Sequence, residues 1–152
     1  MFLAVEKYGG TSVGSVERIN AVADRVSASH QKGARLVVVV SAMAGETNRL
    51  LGLAEEIDSG AQAREMDVLV STGEQVTIAL LSMALNKRGI DARSYTGSQV
   101  QILTDNVHGK ARILDIDAAR VRDDLENDRV VVIAGFQGVD AEGNITTLGR
   151  GG

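Results

Sequence analysis

The sequence FLAVEKYGGTSVG, residues 2–14, contains the signals of a strand and a tight turn that lead into a helix. The apolar run Phe2–Val5 predicts a strand, Gly9 and Gly10 predict a turn, and the pattern that starts near Ser15 predicts a helix. Strand, turn and helix in this order are how an α/β fold begins. We therefore expect a βαβα start and a largely parallel sheet.

The same turn has the parts of an anion site. Glycine lets the backbone approach a ligand closely, and the free N–H groups at a helix start favour a phosphate. Lys7 adds a mobile positive charge beside them. From spacing alone, an ordinary tight connection with a surface lysine explains the stretch equally well. It fits neither the Walker A pattern nor GxGxxG.

Composition bounds the class of protein. The chain has 152 residues, 44% of them hydrophobic and 24% charged, which is typical of a single globular domain. A net charge of -4 and an aromatic content of 3% argue against nucleic-acid binding. With no cysteine, disulfides and thiolate metal sites are excluded. We expect no membrane association, because no signal peptide and no apolar run near ~20 residues is present.

Hydrophobic periodicity places the remaining elements. An amphipathic helix is predicted over 15–30, with Ser15 as its N-cap. The stretch 68–70 reads equally as a strand or a turn of helix. A hairpin is predicted to join 137–139 to 145–148. Further helices are predicted at 50–57, 76–85 and 117–125, and strands at 35–40, 90–95, 101–103, 111–116 and 130–134.

Continuous β-branched runs indicate strands that are buried on both faces. Leu36–Val40 and Val130–Ala134 are such runs, as in a parallel sheet covered by helices. We therefore predict a three-layer αβα sandwich. The runs end in small polar or glycine residues, at the edge where open α/β sheets bind ligands. Ser41 and Thr47 can offer hydroxyls there, although Thr47 is an equally good helix N-cap and Ser41 a plain turn residue.

Two titratable side chains, Glu74 and His108, have structural interpretations that the sequence supports. Glu74 lies three residues after Ser71, the spacing of a capping box, and precedes an apolar helix, Val76–Leu85, that we expect to be buried on several sides. His108 is expected to be an exposed loop residue. With only His30 besides it, there is no case for a histidine metal site.

The chain resembles the aspartate kinases of the amino-acid kinase superfamily. Its first match is Lys7-Tyr8-Gly9-Gly10-Thr11-Ser12-Val13, where that family has Lys-Phe-Gly-Gly-Thr-Ser-Val. Several motifs in the right order are more specific than any single one. The other matching stretches are Val40–Met43, Ser71–Glu74, Ser94–Gly97, Ala134–Gly138 and Thr146–Gly152.

The resemblance implies an amino-acid kinase-like fold and an activity. That activity is ATP-dependent phosphorylation of the β-carboxylate of L-aspartate to 4-phospho-L-aspartate, the first step of lysine, threonine and methionine biosynthesis. ATP, Mg²⁺ and a cytoplasmic location are implied with it. The resemblance gives Lys7 the catalytic role, with phosphate contacts from Lys7, Tyr8, Gly9, Gly10 and Ser41. It gives aspartate binding to Gly45, Thr47, Glu74, Arg150, Gly151 and Gly152.

The resemblance covers only part of the family's pattern. In aspartate kinases the Gly-Arg-Gly-Gly string continues into a second, nucleotide-binding half and then ACT-type regulatory domains. Residues 1–152 therefore resemble the N-terminal portion of the catalytic domain, incomplete at its C-terminus. We expect this portion to be inactive alone, to leave an unpaired sheet edge and apolar surface, and to self-associate or be marginally stable. Another kinase of the superfamily and a non-catalytic binding or assembly fragment are the alternatives.

Overall fold

The computed structural model describes residues 2–149, which form five helices and eight strands. The strands are β1 Leu3–Tyr8, β2 Arg35–Val40, β3 Ala92–Tyr95, β4 Ile102–Thr104, β5 Ile113–Ile116, β6 Val130–Ala134, β7 Gln137–Val139 and β8 Ile145–Thr147. The helices are α1 Val16–Gln31, α2 Glu46–Ile57, α3 Ala63–Val70, α4 Thr72–Lys87 and α5 Ala119–Glu126.

A parallel sheet of four strands forms the centre, in the order β1-β2-β6-β3. The predicted parallel sheet is confirmed, and both β-branched runs lie in its middle. In β6 every residue is buried, as a strand covered on both faces requires. Register places Lys7 beside Val39, and Val40 beside Ala134. The carboxyl ends of β1, β2 and β6 therefore meet at one edge.

Helices cover the two faces of this sheet unequally. α1 and α4 pack on one face, where Leu36, Val38 and Val132 join the larger core cluster. On the other face Val131 and Ile133 pack beneath α5, whose Leu125 belongs to the smaller cluster. This alternation along the strands produces the three predicted layers.

A second sheet has the order β5-β4-β7-β8 and is mostly antiparallel. The predicted hairpin joins β7 to β8. The Asp140 side chain organises its turn, because one carboxylate oxygen accepts the N–H groups of Glu142 and Asn144 at 3.0 and 2.8 Å. The stretch 68–70, left open between strand and helix, belongs to α3.

Two capping interpretations are wrong. The Ser71 hydroxyl donates back to the carbonyl of Val68 at 2.9 Å and makes no cap bond to α4, so Ser71 and Glu74 form no capping box. Thr47 lies inside α2, whose N-cap is Gly45 at a φ of 83°. The Ser15 N-cap is confirmed, because its hydroxyl accepts the Arg18 N–H at 3.2 Å.

Two burial expectations are also wrong. α4 buries a single stripe that includes Ile78 and Leu81, while Val76 and Met83 are 48% and 62% exposed. The helix is apolar all round, yet the described residues cover only one side of it. His108 is not an exposed loop residue, because its ring lies 2.7 Å from the buried Asp67 carboxylate with 16% of the side chain exposed.

Apolar surface remains open on the α5 side of the central sheet. Leu3 and Val5 of the edge strand β1 are 60% and 67% exposed. They line a groove of about 580 Å³ together with residues of β2, β5 and α5. Within the described chain, Ala63–Lys87 has the length and mean hydropathy, 1.5, of a membrane span, but half of it is buried, as in a core helix of a globular domain.

Candidate functional site

A cavity of about 480 Å³ opens where β1, β2 and β6 end. Its walls come from the loops that follow these strands and from the first turn of α4. Parallel α/β sheets bind ligands at this edge because the loops after adjacent strands converge there. The lining residues are Lys7, Gly9, Gly10, Ser41, Ala42, Met43, Ala44, Gly45, Thr47, Asn48, Glu74, Gly135 and Phe136.

The glycine turn after β1 forms one wall. Gly10 accepts the Ala44 N–H at 3.2 Å, which ties this turn to the loop after β2. A Cβ on Gly10 would lie 3.1 Å from the Ala42 carbonyl oxygen, so the two loops pack backbone to backbone. A Cβ on Gly9 would meet no atom of residues 2–149 within 4 Å, so none of these residues closes this backbone to a ligand. Lys7 lies directly before the turn, at the end of β1.

The loop after β2 packs beside this turn and forms the next part of the wall. The Ser41 N–H donates to the Tyr8 carbonyl at 3.1 Å, which continues the strand pairing by one residue. Gly45 then turns the chain into α2 with a left-handed φ of 83°, a conformation that glycine adopts at low cost. Thr47 follows in the first turn of α2, so both hydroxyl residues lie on this wall.

Glu74 provides the only described carboxylate among the residues that line this cavity. It is 2% exposed and accepts the backbone N–H of Ala42 and its own. Among the described residues, its second oxygen, Oε2, has no hydrogen-bond partner. Burial raises the pKa of Glu74 from 4.5 to about 7, against the lowering effect of those N–H groups. A buried acceptor of this kind is suited to a cationic ligand group.

The chain segment after β6 forms the rear of the cavity. The Gly135 N–H donates to the Val40 carbonyl at 2.9 Å, and a Cβ there would lie 3.1 Å from the same oxygen. Phe136 has a φ of 69°, a left-handed conformation that costs a bulky residue about 1–2 kcal/mol. The surroundings hold it there, because the Leu148 N–H donates to the Phe136 carbonyl at 2.8 Å.

The structure brings most of the sequence-predicted site residues into one cavity. These are Lys7, Gly9, Gly10, Ser41, Gly45, Thr47 and Glu74. Tyr8 is not among the lining residues: its hydroxyl donates to Glu6 at 2.7 Å, and its ring lies in the main core. Arg150, Gly151 and Gly152 lie outside the described residues. The roles assigned to all of these residues remain predictions.

Several lining residues were not predicted. Phe136 lies within the motif Ala134–Gly138, but a phenylalanine gives no sequence signal for a left-handed backbone conformation. Asn48, one residue after Thr47, carried no signal at all. Ala42 and Ala44 contribute backbone and small side chains, which a search for reactive groups overlooks. Within residues 2–149 no group of three or more His, Cys, Asp or Glu side chains is arranged to hold a metal ion.

Comparison with known proteins identifies the class that this fold and cavity define. The amino acid kinase family matches residues 3–152 of the chain. The aspartate kinase of Pseudomonas fluorescens is 68% identical over 154 residues, which cover 100% of this chain and 37% of that protein. The chain thus spans little more than a third of the length of the curated relatives it matches.

Solved structures agree with this assignment. The aspartate kinase of Synechocystis superposes with a TM-score of 0.81 at 49% identity, over 99% of this chain and 24% of that one. The structure of Escherichia coli aspartokinase III in complex with aspartate and ADP gives 0.84 at 26% identity, over 100% and 44%. The chain belongs to the amino acid kinase family, and the relatives that it resembles are aspartate kinases.

Proposed function

We propose that this chain is the N-terminal portion of the catalytic domain of an aspartate kinase, here called the parent kinase. The parent kinase transfers the γ-phosphoryl group of ATP to the β-carboxylate of L-aspartate. Support comes from relatives of that name at 68% identity and from the related structure that holds aspartate and ADP. The observation that carries the proposal is a single cavity that combines Lys7, a glycine turn and a buried, half-satisfied glutamate.

Glu74 is suited to the amino group of the substrate. An α-ammonium brings positive charge and N–H donors, and Glu74 Oε2 is a buried acceptor without a described partner. Pairing with the ammonium would return the carboxylate to its ionised form. Gly45 and Thr47 line the same cavity, and we assign them to aspartate as well. Arg150 is assigned to a substrate carboxylate, because a guanidinium forms two parallel hydrogen bonds to such a group.

Lys7 and the glycine turn are suited to the phosphates. A β-carboxylate oxygen of aspartate forms the new bond to the γ-phosphorus, while the bond from that phosphorus to the ADP oxygen breaks. No side-chain nucleophile is required, so catalysis consists of positioning and charge stabilisation. We assign Lys7 to charge on the transferring group, and Gly9, Gly10, Ser41 and the Tyr8 main chain to the phosphates.

Mg²⁺ is expected to accompany ATP and to screen the phosphate charge. Hard cations of this type take oxygen ligands, usually carboxylates and phosphates. The described residues offer no acidic cluster for it, so we assign its protein ligands to the rest of the parent kinase. We also propose that the parent kinase is cytoplasmic and acts in lysine and threonine biosynthesis. We expect it to be a homo-oligomer.

Hydroxylamine trapping tests the proposed reaction directly. The purified parent kinase is incubated with ATP, Mg²⁺ and hydroxylamine, which converts an acyl phosphate into a coloured hydroxamate. Aspartate, glutamate, N-acetylglutamate and carbamate are supplied in parallel. We expect hydroxamate with aspartate and little with the others. Strong product with glutamate or acetylglutamate and none with aspartate would assign the chain to another kinase of the superfamily.

The 152-residue chain alone is expected to give no hydroxamate. The related structure with aspartate and ADP is matched over only 44% of its length, so much of that enzyme has no counterpart here. Product formed by the isolated chain, and lost in Lys7→Ala, would show that these residues build a complete phosphoryl-transfer site. That result would contradict the assignment of nucleotide binding to the remaining part of the parent kinase.

A further inference from the structure

A buried carboxylate lies behind the cavity, outside the residues that line it. Asp67 belongs to α3 and is 1% exposed. Its Oδ2 lies 2.7 Å from His108 Nδ1 and accepts the N–H groups of Gly109 and Thr147 at 3.3 and 3.2 Å. Its Oδ1 accepts the Thr147 hydroxyl at 2.6 Å. Desolvating a carboxylate is costly, and these donors offset that cost.

The donors come from two segments that are distant in sequence from α3. His108 and Gly109 belong to the loop between β4 and β5, and Thr147 is the last residue of β8. The two segments also contact each other, because the Ala111 N–H donates to the Thr147 carbonyl at 2.9 Å. Asp67 therefore fixes the end of β8 through both its main chain and its side chain.

The end of β8 in turn supports the cavity. Leu148, the next residue, donates its N–H to the Phe136 carbonyl at 2.8 Å and so holds Phe136 in its left-handed conformation. A small cavity of about 190 Å³ adjoins this contact and is lined by Thr47, Asp67 and Thr147, among others. It shares Thr47 and Phe136 with the principal cavity. In the sequence, Thr147 precedes Arg150 by three residues.

We propose that Asp67, acting through Thr147, is a positioning residue for the part of the site that receives the amino acid. It does not touch the substrate. It holds the end of β8 so that Phe136, which lines both cavities together with Thr47, is placed correctly for aspartate. This inference rests on the proposed function, because it concerns the binding of that substrate.

Steady-state kinetics of the parent kinase test the inference with matched variants. In Asp67→Asn one of the two acceptor oxygens becomes an N–H₂ donor, and in Thr147→Val the hydroxyl is lost at constant shape. We expect each to raise KM for aspartate about 10-fold or more, since small misplacements in a site have large effects. KM for ATP should stay within about 3-fold, because the glycine turn and Ser41, which are assigned to the phosphates, belong to other loops.

Two controls separate positioning from general stability. Asp124 of α5 is also 2% exposed and accepts the Tyr95 hydroxyl and the Arg129 guanidinium, and neither of these partners lines either cavity. Asp124→Asn should lower the unfolding temperature to a similar extent yet leave KM for aspartate within about 3-fold. Thr147→Ser keeps the hydroxyl and should restore KM to within about 3-fold of the wild type.

The possible results are distinguishable. If wild-type parent kinase forms no aspartyl hydroxamate, the proposed function fails, and this inference falls with it. With active wild type, an unchanged KM for aspartate in Asp67→Asn would overturn the inference alone. So would an equal rise in Asp124→Asn, or equal rises in KM for aspartate and ATP, because these are signs of a general structural role.

Discussion

At the residue scale, the burial of Glu74 makes the stability of the fold depend on pH. Its folded-state pKa of about 7 lies above the ordinary value of 4.5, so the folded chain binds more protons than the unfolded chain between these pH values. Stability from this group is fully present below about pH 4.5 and is lost as the pH rises through about 7. The sign is opposite to that of a salt-bridged carboxylate.

Replacing Glu74 by Gln should remove this dependence. As the pH rises from about 4.5 to about 8, we expect the unfolding free energy of the wild type to fall by about 3 kcal/mol more than that of Glu74→Gln. Urea unfolding of the ligand-free chain at several pH values measures it. The exposed Glu56→Gln controls for the loss of one carboxylate. Parallel pH profiles for wild type and Glu74→Gln would contradict the buried, raised-pKa carboxylate.

Substrate binding should show the reverse dependence in the parent kinase. Because the proposed contact with the substrate ammonium requires ionised Glu74, KM for aspartate should rise as the pH falls below about 7, approaching about tenfold per pH unit. KM for ATP should lack this component. In Glu74→Gln, KM for aspartate should be raised at pH 8 and nearly flat with pH. A variant with wild-type KM and the wild-type pH profile would remove Glu74 from ammonium binding.

At the scale of elements, glycine sets how closely the segments pack. A Cβ on Gly97 would lie 2.4 Å from the Gln137 carbonyl oxygen, in backbone that has no room to shift. Gly97→Ala should therefore lower the unfolding free energy by about 2–3 kcal/mol. Gly52→Ala is the matched control, since its Cβ meets nothing within 4 Å. Within α2 it should add about 0.5–1 kcal/mol.

Thermal unfolding of the two variants measures both effects. The prediction requires opposite signs, with Gly97→Ala melting below the wild type and Gly52→Ala above it. A Gly97→Ala variant as stable as the wild type would mean that the turn after β3 is not packed backbone to backbone against β7.

Elements that repeat a pattern could be predicted from the sequence, and those that depend on contacts could not. The β-branched runs of β2 and β6 gave the parallel sheet, and Ser15 gave the start of α1. The apolarity of α4 predicts burial on several sides, and it cannot reveal that the described residues cover only one stripe of this helix. The Asp67–His108 contact joins residues 41 apart, and no local pattern marks it.

The candidate site likewise contains residues that the sequence predicts and residues that it does not. Lys7, the glycine turn and Glu74 stood in motifs, so their meeting in one cavity followed once the strands were parallel. Phe136 and Asn48 contribute through backbone geometry and position, which residue type does not encode. The capping-box interpretation of Glu74 failed because a short spacing cannot show that the backbone of Ala42 competes for its carboxylate.

At the scale of the whole molecule, the open face of the sheet predicts self-association of the isolated chain. Val5 on β1 and Met83 on α4 are similarly exposed, at 67% and 62%, but only Val5 lines the apolar groove beside an unpaired strand edge. Apolar surface of this kind favours burial against a second copy. Val5→Lys should therefore weaken self-association about 10-fold or more, whereas Met83→Lys should not.

Sedimentation velocity over a range of concentrations provides this test. The expected wild-type result is a concentration-dependent dimer or higher species, which Val5→Lys shifts towards monomer. A wild-type chain that stays monomeric with high thermal stability would contradict the prediction. An equal effect of Met83→Lys would place the contact on the helical face instead.

The turnover of the parent kinase with Lys7 replaced by Ala tests the proposed phosphoryl transfer. Lys7 lines the cavity beside the glycine turn, where we propose that the transferring phosphoryl group lies. Lys32, exposed at the far end of α1, supplies the control variant Lys32→Ala. Aspartyl-hydroxamate formation should fall about 100-fold or more in Lys7→Ala, with KM for aspartate within about 3-fold. Near-normal turnover in Lys7→Ala would contradict the assignment of Lys7 to the transferring phosphoryl group.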